Sequence, residues 1–227
     1  MIRAEKTGPA AWLVERYVQR KTRRAFRGLW VRGELPPRDA SLVLYANHSN
    51  FWDGFIGSTL CHAAGWDGYC MMEEQQLARY RFLRRLGAFS VRRGDPHSAV
   101  ETLRYARGLL TRPGTAVILF PEGVLRPSTG VVHPLERGIE VLARSAGVRC
   151  LPVGIRYRFF EHELPDVVLA IGAAHEATTL DDVARRLDAV LGELSDARPL
   201  SDFRPLVRGA RSVMDRWDAV RGMGGQG

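Results

Sequence analysis

The hydrophobic and polar positions alternate in period along this chain. Residues 10–29 read as one helix, with Trp12, Leu13, Tyr17, Phe26 and Leu29 as apolar or aromatic anchors and arginines between them. Ser41–Tyr45 then forms a short run rich in strand-favouring residues, and Trp52–His62 returns to a helical pattern. Gly68–Met72 and Ala88–Val91 read as strands on either side of a helical stretch, Gln75–Leu86. His97–Leu110 places Ala99, Leu103, Ala106 and Leu110 near a 3.6-residue period. Thr115–Phe120 is continuously apolar, as a strand buried on both faces must be. Helices are expected at Leu135–Ala146 and Leu180–Leu194, and strands at Val148–Ile155 and Val167–Ile171. Pro199–Pro205 breaks the pattern, a last helix is expected over Val207–Val220, and Gly222–Gly227 reads as a frayed tail.

Strands and helices alternating at these lengths predict an α/β fold: one domain, with a mixed, largely parallel sheet flanked by helices and an amphipathic helix at the N-terminus. The expected organisation is a basic membrane-associating helix over 1–30, the main domain over 31–198, and a C-terminal helix and tail over 199–227. A chain of 227 residues, 45% hydrophobic, can bury one substantial core and is too apolar to be disordered. Its longest stretches without charge, Ala40–Trp52 and Gly54–Trp66, are 13 residues each. A spanning helix takes about 20 apolar residues, so none is expected. With no apolar leader visible, the expected location is cytoplasmic.

Charge adds a partner. The net of +8 is unevenly placed. Residues 1–30 hold eight cations against Glu5 and Glu15, and residues 79–112 hold nine arginines against Asp95 and Glu101. Two basic patches on an otherwise acidic chain point to an anionic surface or a phosphorylated substrate. In the N-terminal helix the bulky aromatics sit among the cations, the pattern of a helix lying in a membrane interface. Nucleic acid is not the expected partner, because these aromatics read as membrane anchors or core rather than as stacking platforms.

Several kinds of chemistry are set aside. Cys61, Cys70 and Cys150 are odd in number and not at metal-binding spacing, so neither a disulfide framework nor a metal site is expected. Gly222 to Gly227 spells GxGxxG but follows no strand and opens no helix, so it is not a dinucleotide loop. No phosphate-binding P-loop and no GxSxG nucleophile elbow occurs.

What remains is a set of four short blocks. Asn47-His48-Ser49-Asn50-Phe51-Trp52-Asp53 lies where a strand gives way to a helix, the position at which open α/β sheets bind ligands. A turn there can bring Asp53 onto one ring nitrogen of His48, leaving the other as a base for a hydroxyl. Gly87 to Gly94 ends a strand on Arg92 and Arg93, a natural anion contact. Phe120-Pro121-Glu122-Gly123 makes a tight turn past the buried strand, and Leu151-Pro152-Val153-Gly154 opens another.

In their order and spacing these blocks resemble the lysophospholipid acyltransferase family, glycerolipid acyltransferases that include 1-acylglycerol-3-phosphate acyltransferase. The likeness runs over roughly residues 30–175. It implies that His48 is the general base that deprotonates the acceptor hydroxyl and that Asp53 orients it. It implies that Arg92, Glu122 and Gly123 bind the acceptor, and that Pro152 and Val153 shape the pocket; Arg93 and Arg126, beside them, are expected to bind the acceptor as well. It implies direct attack on an acyl thioester, coenzyme A or acyl-carrier protein serving as co-substrate, with no cofactor and no metal. The implied partners are a membrane lipid acceptor and an anionic membrane surface, with the protein peripheral on the inner face of the cell membrane.

Two departures stand out. The family's Glu-Gly-Thr-Arg reads Glu122-Gly123-Val124-Leu125-Arg126 here, losing the threonine and displacing the arginine by one. The arginine block carries Val91 where the family often has Asp, and adds Arg93. The catalytic half is intact and the phosphate-reading half is altered. Acceptors other than lysophosphatidic acid stay open: another lysolipid, a glycosylated terpenoid lipid, an aminolipid. Two other functions fit the same residues: a thioesterase or esterase using the dyad on water, and a non-catalytic membrane-binding protein.

Overall fold

The computed structural model describes all residues except 127–134, 146, 160–161, 177–178, 197, 212, 214–216 and 218–227. Eight strands form one sheet: β1 (Gly28–Arg32), β2 (Leu42–Ala46), β3 (Asp67–Glu73), β4 (Ala88–Val91), β5 (Thr115–Leu119), β6 (Arg149–Arg158), β7 (Asp166–Ile171) and β8 (Arg204–Arg208). Their order across the sheet is β4-β3-β5-β2-β6-β7-β1-β8. The pairings β4–β3, β3–β5, β5–β2, β2–β6 and β7–β1 are parallel, and β6–β7 and β1–β8 antiparallel. This is the mixed, largely parallel α/β sheet expected.

The helices are α1 (Gly8–Ala25), α2 (Asp53–Ala64), α3 (Glu74–Arg79), α4 (Pro96–Leu110), α5 (Gly138–Ala143) and α6 (Leu180–Gly192). Two apolar clusters cover the two faces of the sheet. On one, Ala106 and Leu109 of α4, Ile139 and Leu142 of α5, and Val183 and Leu187 of α6 meet Val43, Val117 and Val168. On the other, Ile56, Leu60 and Cys61 of α2 and Phe26 meet Leu42, Leu44, Ile118, Leu151 and Val153. All five residues of β2 are buried, because this central strand is covered on both faces. Local capping reinforces the register. Asp95 accepts from the His97 and Ser98 N–H groups at the start of α4, and Thr179 accepts from Asp182 N–H at the start of α6. Each such cap is worth about 1 kcal/mol.

Four expected elements end differently. The N-terminal helix stops at Ala25, and Phe26 is extended and buried. Leu29 and Val31 alternate inward on β1, so the apolar residues after 25 belong to the sheet rather than to the helix. The helix expected over Gln75–Leu86 divides at Tyr80 into α3 and a 3-10 turn, Arg81–Leu86. Gly87 ends that turn at φ +101°, where a Cβ would lie 2.6 Å from the Gly68 carbonyl oxygen. The strand expected to end at Ile155 continues to Arg158. The helix expected from Val207 does not begin there, since Arg204–Arg208 is β8 paired with β1. Most of the remainder of that helix, and the tail Gly222–Gly227, lie outside the described residues.

α1 docks on the 3-10 turn and on α2. Its inner face is small or polar: Ala11, Val18, Gln19 and Thr22. Trp12, Leu13 and Tyr17 face outward, each more than half exposed. No helix among the described residues is long and apolar enough to cross a membrane.

Candidate active site

Because β4, β5, β2 and β6 run parallel, their carboxyl ends lie along one edge of the sheet, and the segments following them come together there. The segment after β2 is built first. Asn47 is buried, and its side chain continues the β2–β6 ladder. Its Nδ2 donates to the Ile155 carbonyl at 3.0 Å, and its Oδ1 accepts from Ile155 N–H at 2.8 Å. With Asn47 pinned, the chain turns. Asp53, the first residue of α2, points back into the turn and is fully buried.

The turn closes on that carboxylate. Oδ2 accepts from Ser49 N–H at 2.7 Å, from Asn50 N–H at 2.8 Å and from His48 Nδ1 at 2.9 Å. Facing a carboxylate that only accepts, Nδ1 carries the proton, and Nε2 is left with a lone pair. No hydrogen bond occupies Nε2 among the described residues, and the His48 side chain is 22% exposed. Its ring stacks on Phe120 at 4.2 Å between centroids, nearly parallel. Imidazole Nε2 is therefore oriented and without a hydrogen bond among the described residues, the arrangement in which an imidazole can take a proton from a hydroxyl.

The other carboxylate oxygen, Oδ1, accepts from the Tyr157 hydroxyl at 2.6 Å. Burial, with the Asp53 charge added, drives the Tyr157 hydroxyl far above its ordinary range, so at neutral pH it is a donor.

The segment after β5 forms the second wall. Gly123 N–H donates to the Phe120 carbonyl at 2.9 Å, and Glu122 is buried in the turn. Gly123 sits at φ +69°, and a Cβ there would come within 2.5 Å of Arg93 Nη2. Arg93 in turn donates to the Gly123 carbonyl. Arg126 N–H donates to the His48 carbonyl at 2.8 Å, which ties this segment to the His48 turn. The Arg126 Nε is buried with no hydrogen-bond partner.

The predicted residues thus divide. His48, Asp53 and Arg126 are joined directly, and Arg93 meets Gly123 beside Glu122. Arg92 is committed elsewhere. Its guanidinium donates to Glu74 Oε1 at 2.6 and 3.1 Å and to Asp95 at 3.4 Å. That guanidinium holds the Glu74 carboxyl below its ordinary value. Pro152 is paired with Tyr45 inside the sheet, and Val153 is buried against the apolar cluster that holds α2. Burial pushes the Cys61 thiol up to about 12 and Cys150 up to about 11, which withholds a thiolate nucleophile at neutral pH. Among the described residues no group of three or more His, Cys, Asp or Glu side chains could hold a metal ion.

Sequence reasoning gave no role to Phe120 or Tyr157. Phe120 opens the Phe-Pro-Glu-Gly block, and no local pattern pairs its ring with His48. Alternation places Tyr157 on the face of β6 shared by Val153 and Ile155, but nothing local in the sequence aims its hydroxyl at Asp53.

A model of the acyltransferase family matches residues 29–156, a span that contains every candidate site residue from His48 to Arg126. No curated protein matches the chain in sequence. Among solved structures, the chain is similar to the crystal structure of the 1-acyl-sn-glycerophosphate (LPA) acyltransferase PlsC from Thermotoga maritima. Identity is 21%, over 83% of this chain and 80% of that one, with a TM-score of 0.59. At that identity the likeness is one of fold.

Proposed function

The chain belongs to the acyltransferase family, and from that premise we propose that it moves a fatty acyl group from a thioester to a lipid hydroxyl, with His48 and Asp53 as its base pair. The observation that carries the reading is the 2.9 Å contact between His48 Nδ1 and Asp53 Oδ2, with Nε2 open at the carboxyl edge of the sheet. Nε2 takes the acceptor's hydroxyl proton as its oxygen attacks the thioester carbonyl carbon. The tetrahedral intermediate collapses with cleavage of the carbon–sulfur bond. The departing sulfur receives the proton from the imidazolium, so His48 ends neutral and the products are an ester and a free thiol. No acyl-enzyme is formed. Coenzyme A or acyl-carrier protein serves as the donor's thiol.

The acceptor lies against the second wall. Arg93 steadies the Glu122–Gly123 turn through the Gly123 carbonyl. Arg126, anchored by its backbone to His48 and with Nε unsatisfied, is the cation placed to meet an anionic group on the acceptor. Arg92 is already neutralised by Glu74 and Asp95. Replacing Arg126 with alanine should raise the acceptor KM by roughly 10- to 100-fold, the range of a hydrogen bond to a charged group, and leave the thioester KM nearly unchanged. Replacing Arg92 should change the acceptor KM by less than about threefold, because an exposed pair contributes little. Steady-state kinetics varying one substrate at a time decide this. A selective rise in the thioester KM for R126A would place Arg126 at the donor.

The protein works as a peripheral protein on the inner face of the cell membrane. The outward face of α1 carries Trp12, Leu13 and Tyr17 beside cations: Arg16 lies over the Trp12 ring at 5.5 Å and Lys21 over Tyr17 at 5.8 Å. Lys21 also lies over Trp52, next to Asp53, so this face adjoins the site. Each basic residue near an anionic surface contributes about 1 kcal/mol. The variant Arg16→Glu/Arg20→Glu should therefore bind phosphatidylglycerol-containing vesicles at least about 30-fold more weakly in sedimentation, and wild-type binding should fall in high salt. Binding of the variant equal to wild type would put the membrane contact elsewhere.

The activity itself is tested with a labelled acyl thioester and a total lipid extract. A labelled lipid ester supports the reading. Release of labelled fatty acid, with no lipid product, would instead make the protein a thioesterase.

A further inference from the structure

We infer that Tyr157 is a positioning residue of the acyl-transfer site: by donating its hydroxyl to Asp53 Oδ1 it fixes the carboxylate that fixes His48. This rests on the His48–Asp53 reading proposed above. The match to the family model stops at residue 156, so the inference comes from this chain's own geometry.

The strand overhang makes the contact possible. Ala46, the last residue of β2, pairs with Val153, and β6 continues past it for five more residues. Asn47 holds the first part of that overhang by its two bonds to Ile155. Two residues on, with the period of a strand, the Tyr157 side chain faces the same way and meets Asp53 at 2.6 Å. The Tyr157 ring is itself held, with Phe26 at 5.7 Å, and Phe26 lies edge-on to Trp52 at 5.1 Å. Residues on both sides of the dyad thus brace the hydroxyl.

The carboxylate depends on this donor. Asp53 is fully buried, so a charge on it needs hydrogen-bond donors. Three donors converge on Oδ2 and one, Tyr157, on Oδ1. Of the nearby cations, Lys21 of α1 lies over Trp52, and Arg126 reaches His48 through its backbone N–H. Neither donates to Oδ1. Removing the hydroxyl leaves Oδ1 bare in the interior. The carboxylate then loses one of its two fixed ends, and more of its charge is left to Oδ2, where His48 shares it with the Ser49 and Asn50 N–H groups.

The test is Tyr157→Phe, which keeps the ring. With palmitoyl-coenzyme A and a total lipid extract, kcat should fall about 10- to 100-fold while both KM values stay within about twofold. The acid limb of the rate profile should move to higher pH, because a more concentrated negative charge holds the imidazolium proton more tightly. In an Asp53→Asn background the same substitution should cost little further, since the charge it serves is gone. Phe26→Leu loosens the ring packing but keeps the hydroxyl, and should leave the acid limb where it was. Wild-type kcat and an unmoved acid limb in Y157F would overturn the inference. So would an equal further loss in the Asp53→Asn background, or the same limb shift in F26L, since either would make Tyr157 a packing residue. Where Y157F does not fold alone, the pair Asp53→Asn and Asp53→Asn/Tyr157→Phe reads the same coupling. Wild-type turnover in His48→Ala would instead remove the dyad reading, and this inference with it.

Discussion

Replacing His48 with alanine should lower acyl transfer by about 10² to 10⁴, the usual contribution of a positioned general base. The fold has little reason to change. The His48 ring is a partly exposed cover on Phe120, not part of either apolar cluster. Asp53 keeps the Ser49 and Asn50 N–H groups and the Tyr157 hydroxyl when the imidazole is gone, so its buried charge stays supported. The loss should therefore appear in kcat, with KM for both substrates nearly unchanged, because the proton transfer belongs to the transition state alone. The measurement is turnover of purified variant and wild type at matched thermal midpoints. Retention of wild-type turnover in the folded variant would remove His48 from the mechanism.

The sequence made this site legible because its chemistry is local. His48 and Asp53 are five residues apart, and their own contact is made within one turn, although Asn47–Ile155 and Tyr157 hold that turn from afar. The buried strand Thr115–Leu119 and the turn after it were legible for a similar reason: a continuous apolar run ended by proline and glycine has few alternatives. What was hidden depends on partners distant in sequence. Tyr157 meets Asp53 across 104 residues, and Arg92 is neutralised by Glu74. Residues 28–32 carry enough aromatic and aliphatic side chains to extend the preceding helix. They form β1 because β7 and β8 offer two strand edges, which local pattern cannot report. The aromatic anchors of α1 divided likewise. Trp12, Leu13 and Tyr17 face out and Phe26 faces in, since the helix ends before Phe26 is reached.

Replacing Asp53 with asparagine should leave a folded protein and a slow one. The side chain is isosteric, and one orientation suits the site. Its oxygen takes the Oδ2 position and keeps the donors His48 Nδ1, Ser49 N–H and Asn50 N–H. Its amide then faces Tyr157, whose hydroxyl can turn and accept. The tautomer of His48 survives, because an amide oxygen also accepts from Nδ1–H. The charge does not survive. As His48 takes the acceptor's proton it becomes an imidazolium with no carboxylate beside it. Two unit charges at 4 Å interact by about 4 kcal/mol at the effective dielectric of a partly buried site, or about 10³ in rate. A loss of kcat near that size, with the thermal midpoint within a few degrees of wild type, is the expected result. The acid limb of the rate profile should move to lower pH, since a neutral neighbour no longer favours the protonated ring. Tyr157→Phe should move that limb the other way, because it concentrates the charge that Asp53→Asn removes. Opposite displacements from a change at Asp53 and a change at its hydroxyl donor follow only if the Asp53 charge governs His48. Displacement in the same direction, or an Asp53→Asn variant within about threefold of wild type, would show that it does not.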